Sequence, residues 1–451
     1  MIGQLRHGVR RHPAAVIGCA LVLLFYLVGL FEVWRWAEEP LGDLMQSRRA
    51  KVPAAPDNLV MVGVDRSTLD THGGGAWPLS RLAYAMALQA VAPRGVTGIG
   101  LEMPLTEKDP AMAVFDAAFA RQVSKLPSVV LSAVGMGSGG ETSRPANLPA
   151  LPGAGVALDR LADHTGFLLP AQGLGSEARL ALSNLPRGPD EPVRSVPLLL
   201  RSGDALLPSF FLQCLLAHEG LTVGDVGVEK GRYVVVRRRG EVVHRIPVDG
   251  GLRMGLPLRP AVPGPPRVGL DVLVLAAEQA AASVPGSATN SFDLGKLHGR
   301  FVLIGREAEE TYEPVLTTRG AISPAGVFLW AWEAAFAKDF IAQLPGWSLW
   351  LACVPLAVFL VWFASRFHMA WAVLMALFVV ADFSALSYWL LSEFRLWLFP
   401  VPPALMCVAA IALGRWLRSV AVRHEGALAA PPSKGLARVR AAYPPGWSGP
   451  P

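Results

Sequence analysis

Apolar residues crowd both ends of the chain and leave a mixed middle. An uncharged run at 14–31 follows Arg6, Arg10 and Arg11, and three more apolar segments lie at 347–364, 370–391 and 396–413. A helix of roughly 20 such residues crosses a hydrocarbon core of about 30 Å. The pattern predicts an all-α membrane region of four transmembrane helices around one folded body at 32–344. Glu32, Trp34, Arg35 and Trp36 follow the first run with no small-residue cleavage site, so it reads as an anchor that stays attached.

Inside the body the pattern changes. Residues 59–64, 96–101, 128–134 and 301–305 are short runs rich in Val, Ile and Leu, the signature of buried strands, and 192–201 reads as another. Residues 80–92, 109–123, 207–217, 272–281 and 325–337 carry helical composition and period. Strands alternating with helices predict an α/β fold, with a mixed, mainly parallel sheet flanked by helices. Residues 233–238 and 242–247 predict a hairpin turning near Gly240, with Arg237, Arg238 and Arg239 as solvated edge charges. The Pro-containing stretch 37–58 reads as a connector, and 135–158, rich in Gly, Pro, Ser and Ala, as a surface loop.

Charge sharpens this division. Only 17% of the chain is charged, against about 25% in soluble domains. Residues 32–344 hold 30 Lys/Arg and 32 Asp/Glu, so the surplus of basic residues lies at the chain ends. With a basic cytoplasmic N-terminus at 1–13, four spans return Arg366, Arg415, Arg418 and Arg423 to the cytoplasm, together with a basic tail at 414–451 that includes Lys434, Arg438 and Arg440. The expected location is a bacterial-type inner membrane, with both termini cytoplasmic and the body periplasmic. A basic balance that comes from the ends argues against nucleic-acid binding. Cys19, Cys353 and Cys407 fall in predicted spans, which leaves Cys214 alone in the body as a core residue with no partner for a disulfide.

The body's motifs come in a specific order. Val62-Gly63-Val64-Asp65-Arg66-Ser67 is followed by Trp77-Pro78-Leu79-Ser80-Arg81, and much later by Gly299-Arg300-Phe301-Val302-Leu303-Ile304-Gly305 and Pro324-Ala325-Gly326-Val327. Over residues 41–340 this order and spacing resemble the CHASE2 family of extracytoplasmic sensory domains. The family's usual three C-terminal membrane segments also have counterparts here.

The resemblance implies a sensor that detects an extracytoplasmic signal and passes it through its membrane helices to a separate effector protein. The family's usual cytoplasmic cyclase or kinase module has no counterpart in these residues. Two places depart from the family pattern: Glu102 stands where an Asp is common, and Phe328-Leu329-Trp330-Ala331 replaces a His-Ala form.

Asp65, Ser67, Trp77, Arg81 and Glu102 are the candidate ligand or switch residues. A carboxylate at the end of a strand, as at Asp65, can meet helix N-termini or Arg81 where open α/β sheets bind ligands. The same residues can equally serve as a cap or a buried ion pair. Asp382, near the middle of the third predicted span with Ser384 and Ser387 close by, is expected to face other spans or a partner protein as a coupling contact.

Four other patterns read as without function. Gly135-Met136-Gly137-Ser138-Gly139-Gly140 fits G-x-G-x-x-G but precedes no helix, and His72-Gly73-Gly74-Gly75 lacks a companion nucleophile elbow. The nine histidines show no zinc spacing, and Glu307, Glu309, Glu310 and Glu313 read as a solvated acidic loop. No enzyme, cofactor or metal is expected. A structural or assembly subunit of a membrane complex is the alternative function, and a homodimer is expected only by analogy with receptors.

Overall fold

The computed structural model describes residues 13–29, 35–49, 53–54, 56–109, 112–153, 156–174, 176–186, 192–258, 264–282, 292–343, 346–398 and 400–429. The expected basic segment 1–13, save Pro13, and the tail beyond 429 lie outside the described residues. Two compact units emerge, Gln46–Ala342 and a unit formed by Met1–Met45 with Gln343–Pro451.

In chain order the elements used below begin with α1 (Pro13–Gly29), α2 (Arg35–Ser47), β1 (Leu59–Val64), α3 (Arg66–His72) and α4 (Arg81–Val91). Then come β2 (Gly98–Leu101), α5 (Ala113–Val123), β3 (Val129–Met136), β4 (Arg179–Leu182) and α6 (Phe210–His218). The chain continues through β5 (Arg267–Gly269), α7 (Leu270–Ala281), β6 (Phe301–Arg306) and α8 (Pro324–Phe336). It closes with α9 (Gly346–Arg366), α10 (Met369–Phe394) and α11 (Val401–Ala429).

Unit Gln46–Ala342 is built on a sheet of order β5-β1-β6-β2-β3-β4, every pair parallel, with Gly166–Leu168 running antiparallel to the end of β3. The expected α/β architecture is present. Strand periodicity sorts its side chains into two cores. Val60, Val62 and Val64 of β1, with Val302 and Ile304 of β6, face helices α3, α4, α5 and α7. Leu59 and Met61, with Phe301 and Leu303, face α6 and α8. Cys214 of α6 lies in this second core, where burial pushes its thiol well up.

Close packing at one point requires a glycine. A Cβ on Gly305 of β6 would collide with the Ala325 side chain at the start of α8, so Gly305 and the small residues of Pro324-Ala325-Gly326 let the helix seat directly on the strand. The hairpin Tyr233–Arg238 and Glu241–Pro247 forms as expected, turning through Arg239 and Gly240, both at positive φ. Arg237 and Arg238 pair with Glu229 and Glu219.

The structure corrects four expectations. The connector at 37–58 begins within helix α2; its inward stripe of Glu38, Leu41, Gly42 and Met45 has helical spacing but mixes an acid and a glycine with apolar residues, so hydropathy hides it. The helix expected from 109 starts at Ala113, because the Asp109 carboxylate is held at the N-terminus of α4 and also accepts the Met112 N–H at 2.9 Å. The four-span reading narrows. Among the described residues two helices, Met369–Phe394 and Val401–Arg423, are long and apolar enough to cross a membrane. Pro13–Leu27 and Cys353–Arg366 are apolar but shorter over their described side chains. The last apolar helix starts at Val401 and not at 396, because Leu396–Trp397 is extended and Pro402 and Pro403 suit a first helical turn.

Within the second unit α1, α9 and α11 share a core that includes Leu21, Val22, Ala357, Val361, Met406 and Ala410. From α10 only Ala372, Ala376, Ser387 and Leu391 are buried.

Candidate functional site

Strands β1, β5 and β6 end on the same side of the sheet, and an acidic residue stands one or two positions beyond each: Asp65, Asp271 and Glu307. Register explains why two of them meet. Gly63 pairs with Gly305 and Val64 with Arg306, so Asp65 and Glu307, one position further on, leave the sheet side by side. Here a cleft of about 850 Å³ opens, lined by Asp65, Arg267, Glu307, Tyr312, Arg319, Trp330 and neighbours. The carboxyl ends of strands are where open α/β sheets place ligands.

Asp65 caps α3. Its Oδ1 accepts the Thr68 N–H at 2.9 Å and the Thr68 hydroxyl at 2.8 Å. Its Oδ2 points towards Gly269 at the end of β5. The Glu307 carboxylate receives the Arg267 guanidinium at 2.8 Å. Burial pushes the Glu307 carboxyl above the usual carboxylate range; Arg267 opposes this and Asp65 adds to it. A Cβ on Gly63 would collide with the Glu307 side chain, so only glycine lets this acid fold back over β1.

The opposite wall is the first turns of α8. Ser323 caps that helix by accepting the Gly326 N–H at 3.1 Å. Arg319 stacks over the Trp330 ring at 4.2 Å, and Trp330 donates its indole N–H to Pro257 O at 2.9 Å. The cleft thus offers carboxylates, guanidinium groups, a helix N-terminus and an aromatic floor. That set can orient a small polar molecule by charges of both signs.

The five sequence candidates separate into two places. Asp65 lines the cleft, and Ser67 braces its rim by donating to Asp271 Oδ2 at 3.0 Å, which joins α3 to α7. Arg81 and Glu102 lie in a buried network at the ends of β2 and β6. Arg81 donates to Glu107 O at 2.7 Å and stands 3.8 Å from Asp116, while its backbone N–H meets Asp109. Glu102, 2% exposed, accepts Arg306 through both oxygens at 2.6 and 3.2 Å. Tyr84 lies in the field of these groups, its hydroxyl buried without a hydrogen bond among the described residues and its pKa driven up by burial. Trp77 is half-buried against the first core.

Of the two partners open to Asp65, the structure supplies a helix N-terminus and not Arg81: strand β6 is inserted between β1 and β2, and its Arg306 pairs with Glu102. Asp382 also differs from one branch of its expectation: it is exposed on α10 and does not face the other helices of its unit.

Sequence reasoning missed Arg267, Arg319 and the role of Glu307. A signal was present, since Gly63-Val64-Asp65 and Gly305-Arg306-Glu307 end two strands with the same glycine-to-acid spacing. Of the acidic loop, Glu307 and Glu310 are ion-paired, the latter with Arg66. The Gly135–Gly140 string ends in a turn, with Gly139 and Gly140 at positive φ, and is followed by a pairing of Glu141 with Phe167.

A family model described as the CHASE2 domain matches residues 16–374. No curated protein and no solved structure matches the chain.

Proposed function

The chain belongs to the CHASE2 domain family, a family of sensory domains, and from that premise we propose that it is a membrane-held sensor. Residues 46–342 face the periplasm, take a small polar ligand in the cleft, and relay its presence to a separate effector. The apolar helices at both ends hold this body in the inner membrane, with both termini cytoplasmic. The basic residues clustered at the chain ends support that orientation. No catalytic step is part of this reading.

One observation carries the proposal: two carboxylates, one of them half-buried and held above its ordinary pKa, share a cleft with Arg267 at the carboxyl ends of parallel strands. Such a group changes its interactions when a ligand charge arrives. A ligand shifts an equilibrium only through differential contacts, and α8 supplies the element that would feel them. Its N-terminus lines the cleft, and its 13 residues make a rod of about 20 Å. Three residues past its end, Asp339 holds Arg49 near the start of the body. A shift at the cleft thereby reaches both chain connections together.

The test is a thermal-shift screen of the full-length chain in lipid nanodiscs against small polar molecules. A saturable rise in melting temperature that Asp65→Ala and Glu307→Ala both remove supports the reading. Ligands that stabilise these variants as well as the unaltered chain would rule out the cleft. A stoichiometric partner that binds regardless of ligand would favour the assembly alternative.

A further inference from the structure

We propose that the outward face of α10 around Asp382 docks a membrane-spanning helix of another protein, and that this helix carries a lysine or arginine at mid-bilayer depth. The proposal deepens the sensor reading by naming the chemistry of the effector contact, and it rests on α10 crossing the membrane.

Position makes the argument. Asp382 follows 13 residues of α10 and precedes 12, so it sits at the helix centre, about 18 Å from either end. An aspartate side chain is too short to reach the interface from there, unlike a snorkelling lysine. It is exposed, and among the described residues its carboxylate has no hydrogen-bond or ion-pair partner.

The nearby hydroxyls are already used. Ser384 donates to Val380 O at 2.7 Å within the same helix, and Ser387 turns inward to Leu398 O at 2.6 Å. A mid-span carboxylate left to lipid is costly, so charge complementarity calls for a cation brought by a partner. The surface suits a helix as well. Ala381 and Ala385 flank Asp382 and are exposed, with Phe378 and Trp389 one turn further on either side, 66% and 51% exposed. Small residues admit a close backbone, and large ones grip its edges.

A second copy fits less well, because it would set Asp382 against Asp382. A partner with a basic residue answers the charge, and the same residue on α10 would then report the partner's presence to the spans.

The probe is a synthetic Leu/Ala helix of about 24 residues with one central lysine, compared with the same helix bearing leucine there. Full-length chain with a fluorescent label is reconstituted with each in phosphatidylcholine vesicles, and energy transfer reports association. Resistance to alkaline carbonate extraction is measured first for every variant. The expected result is about ten-fold stronger association with the lysine helix, cut to less than about two-fold by Asp382→Asn and abolished by Asp382→Leu, with all variants retained. Equal association with both probes, or a preference that survives Asp382→Leu, overturns the proposal. So does self-association of the chain that Asp382→Leu removes, which would assign the face to a second copy. A chain released by carbonate overturns the membrane reading and this one with it; a retained chain that ignores the lysine helix overturns this one alone.

Discussion

Arg49 and Asp339, 290 residues apart, meet as a buried two-pronged ion pair at 2.9 and 3.1 Å, with side chains 1% and 0% exposed. Arg49 lies three residues after the body's first residue, Gln46, and Asp339 three before its last, Ala342. Gln46 reinforces the junction by accepting the Leu258 N–H at 2.8 Å. The entrance and exit of the body are therefore held together.

Breaking that pair leaves one charge buried without its partner. Asp339→Ala is expected to cost about 3–5 kcal/mol of the body's stability, and Arg49→Met combined with Asp339→Leu is expected to recover most of the loss. Chemical denaturation of the single and double variants checks this.

Glu307 gives the cleft a pH signature. Its folded pKa lies above the ordinary 4.5, so the fold prefers the protonated acid. That contribution is complete below pH 4.5 and is lost as pH rises through the folded value. Glu307→Gln is expected to flatten this part of the stability profile, measured as melting temperature from pH 4 to 7.

A second pH response of opposite sign lies beneath α8. His218 packs edge-on against Trp332 and Phe336 and meets the Thr97 hydroxyl at 2.7 Å, while Glu219 binds His244 at 2.9 Å and Arg238 at 2.7 Å. Burial lowers the His218 pKa from its ordinary 6.5; Glu219 opposes this, and His244 and Arg238 add to it. The hydrogen bond from His244 lowers that of Glu219. Depressed values contribute stability that is full above the ordinary pKa and is lost as pH falls through the folded one. The body should therefore weaken as pH drops below 6.5, and His218→Phe should remove the first part of that loss. Urea unfolding at pH 7, 6 and 5 reads it directly.

Glu38 places a titration at the other unit. It accepts the Val401 N–H at 2.7 Å at the start of α11, and burial pushes its carboxyl up to about 7. The protonated form is the one the fold favours, so this contribution is present below pH 4.5 and fades as pH rises through 7. Glu38→Gln should keep the cap and abolish the pH dependence. Glu38→Ala should lose the cap, at about 1 kcal/mol, in detergent-resistance assays of the full chain.

The parallel sheet was legible because β1, β3 and β6 are apolar runs buried on both faces, a pattern that periodicity reads well. Asp65 was legible because a carboxylate at a strand end followed by Thr68 is a local cap. What stayed hidden depends on strand order. No local signal says that β6 inserts between β1 and β2, so the pairing of Glu102 with Arg306 and the separation of Asp65 from Arg81 could not be read. Arg267 lies on a three-residue edge strand after a Pro-rich stretch, too short to register as an element. Arg49 and Asp339 find each other only through the closed tertiary fold.

In the proposed sensor the folded body stands outside the cytoplasm between helices that hold it in the membrane. A dual reporter, alkaline phosphatase against a cytoplasm-only fluorescent protein, inserted at Gly240 in the tip of the hairpin tests it most directly, since that turn is open and at positive φ. Phosphatase activity without fluorescence is the expected result. Fluorescence without phosphatase activity would place the body in the cytoplasm and contradict it.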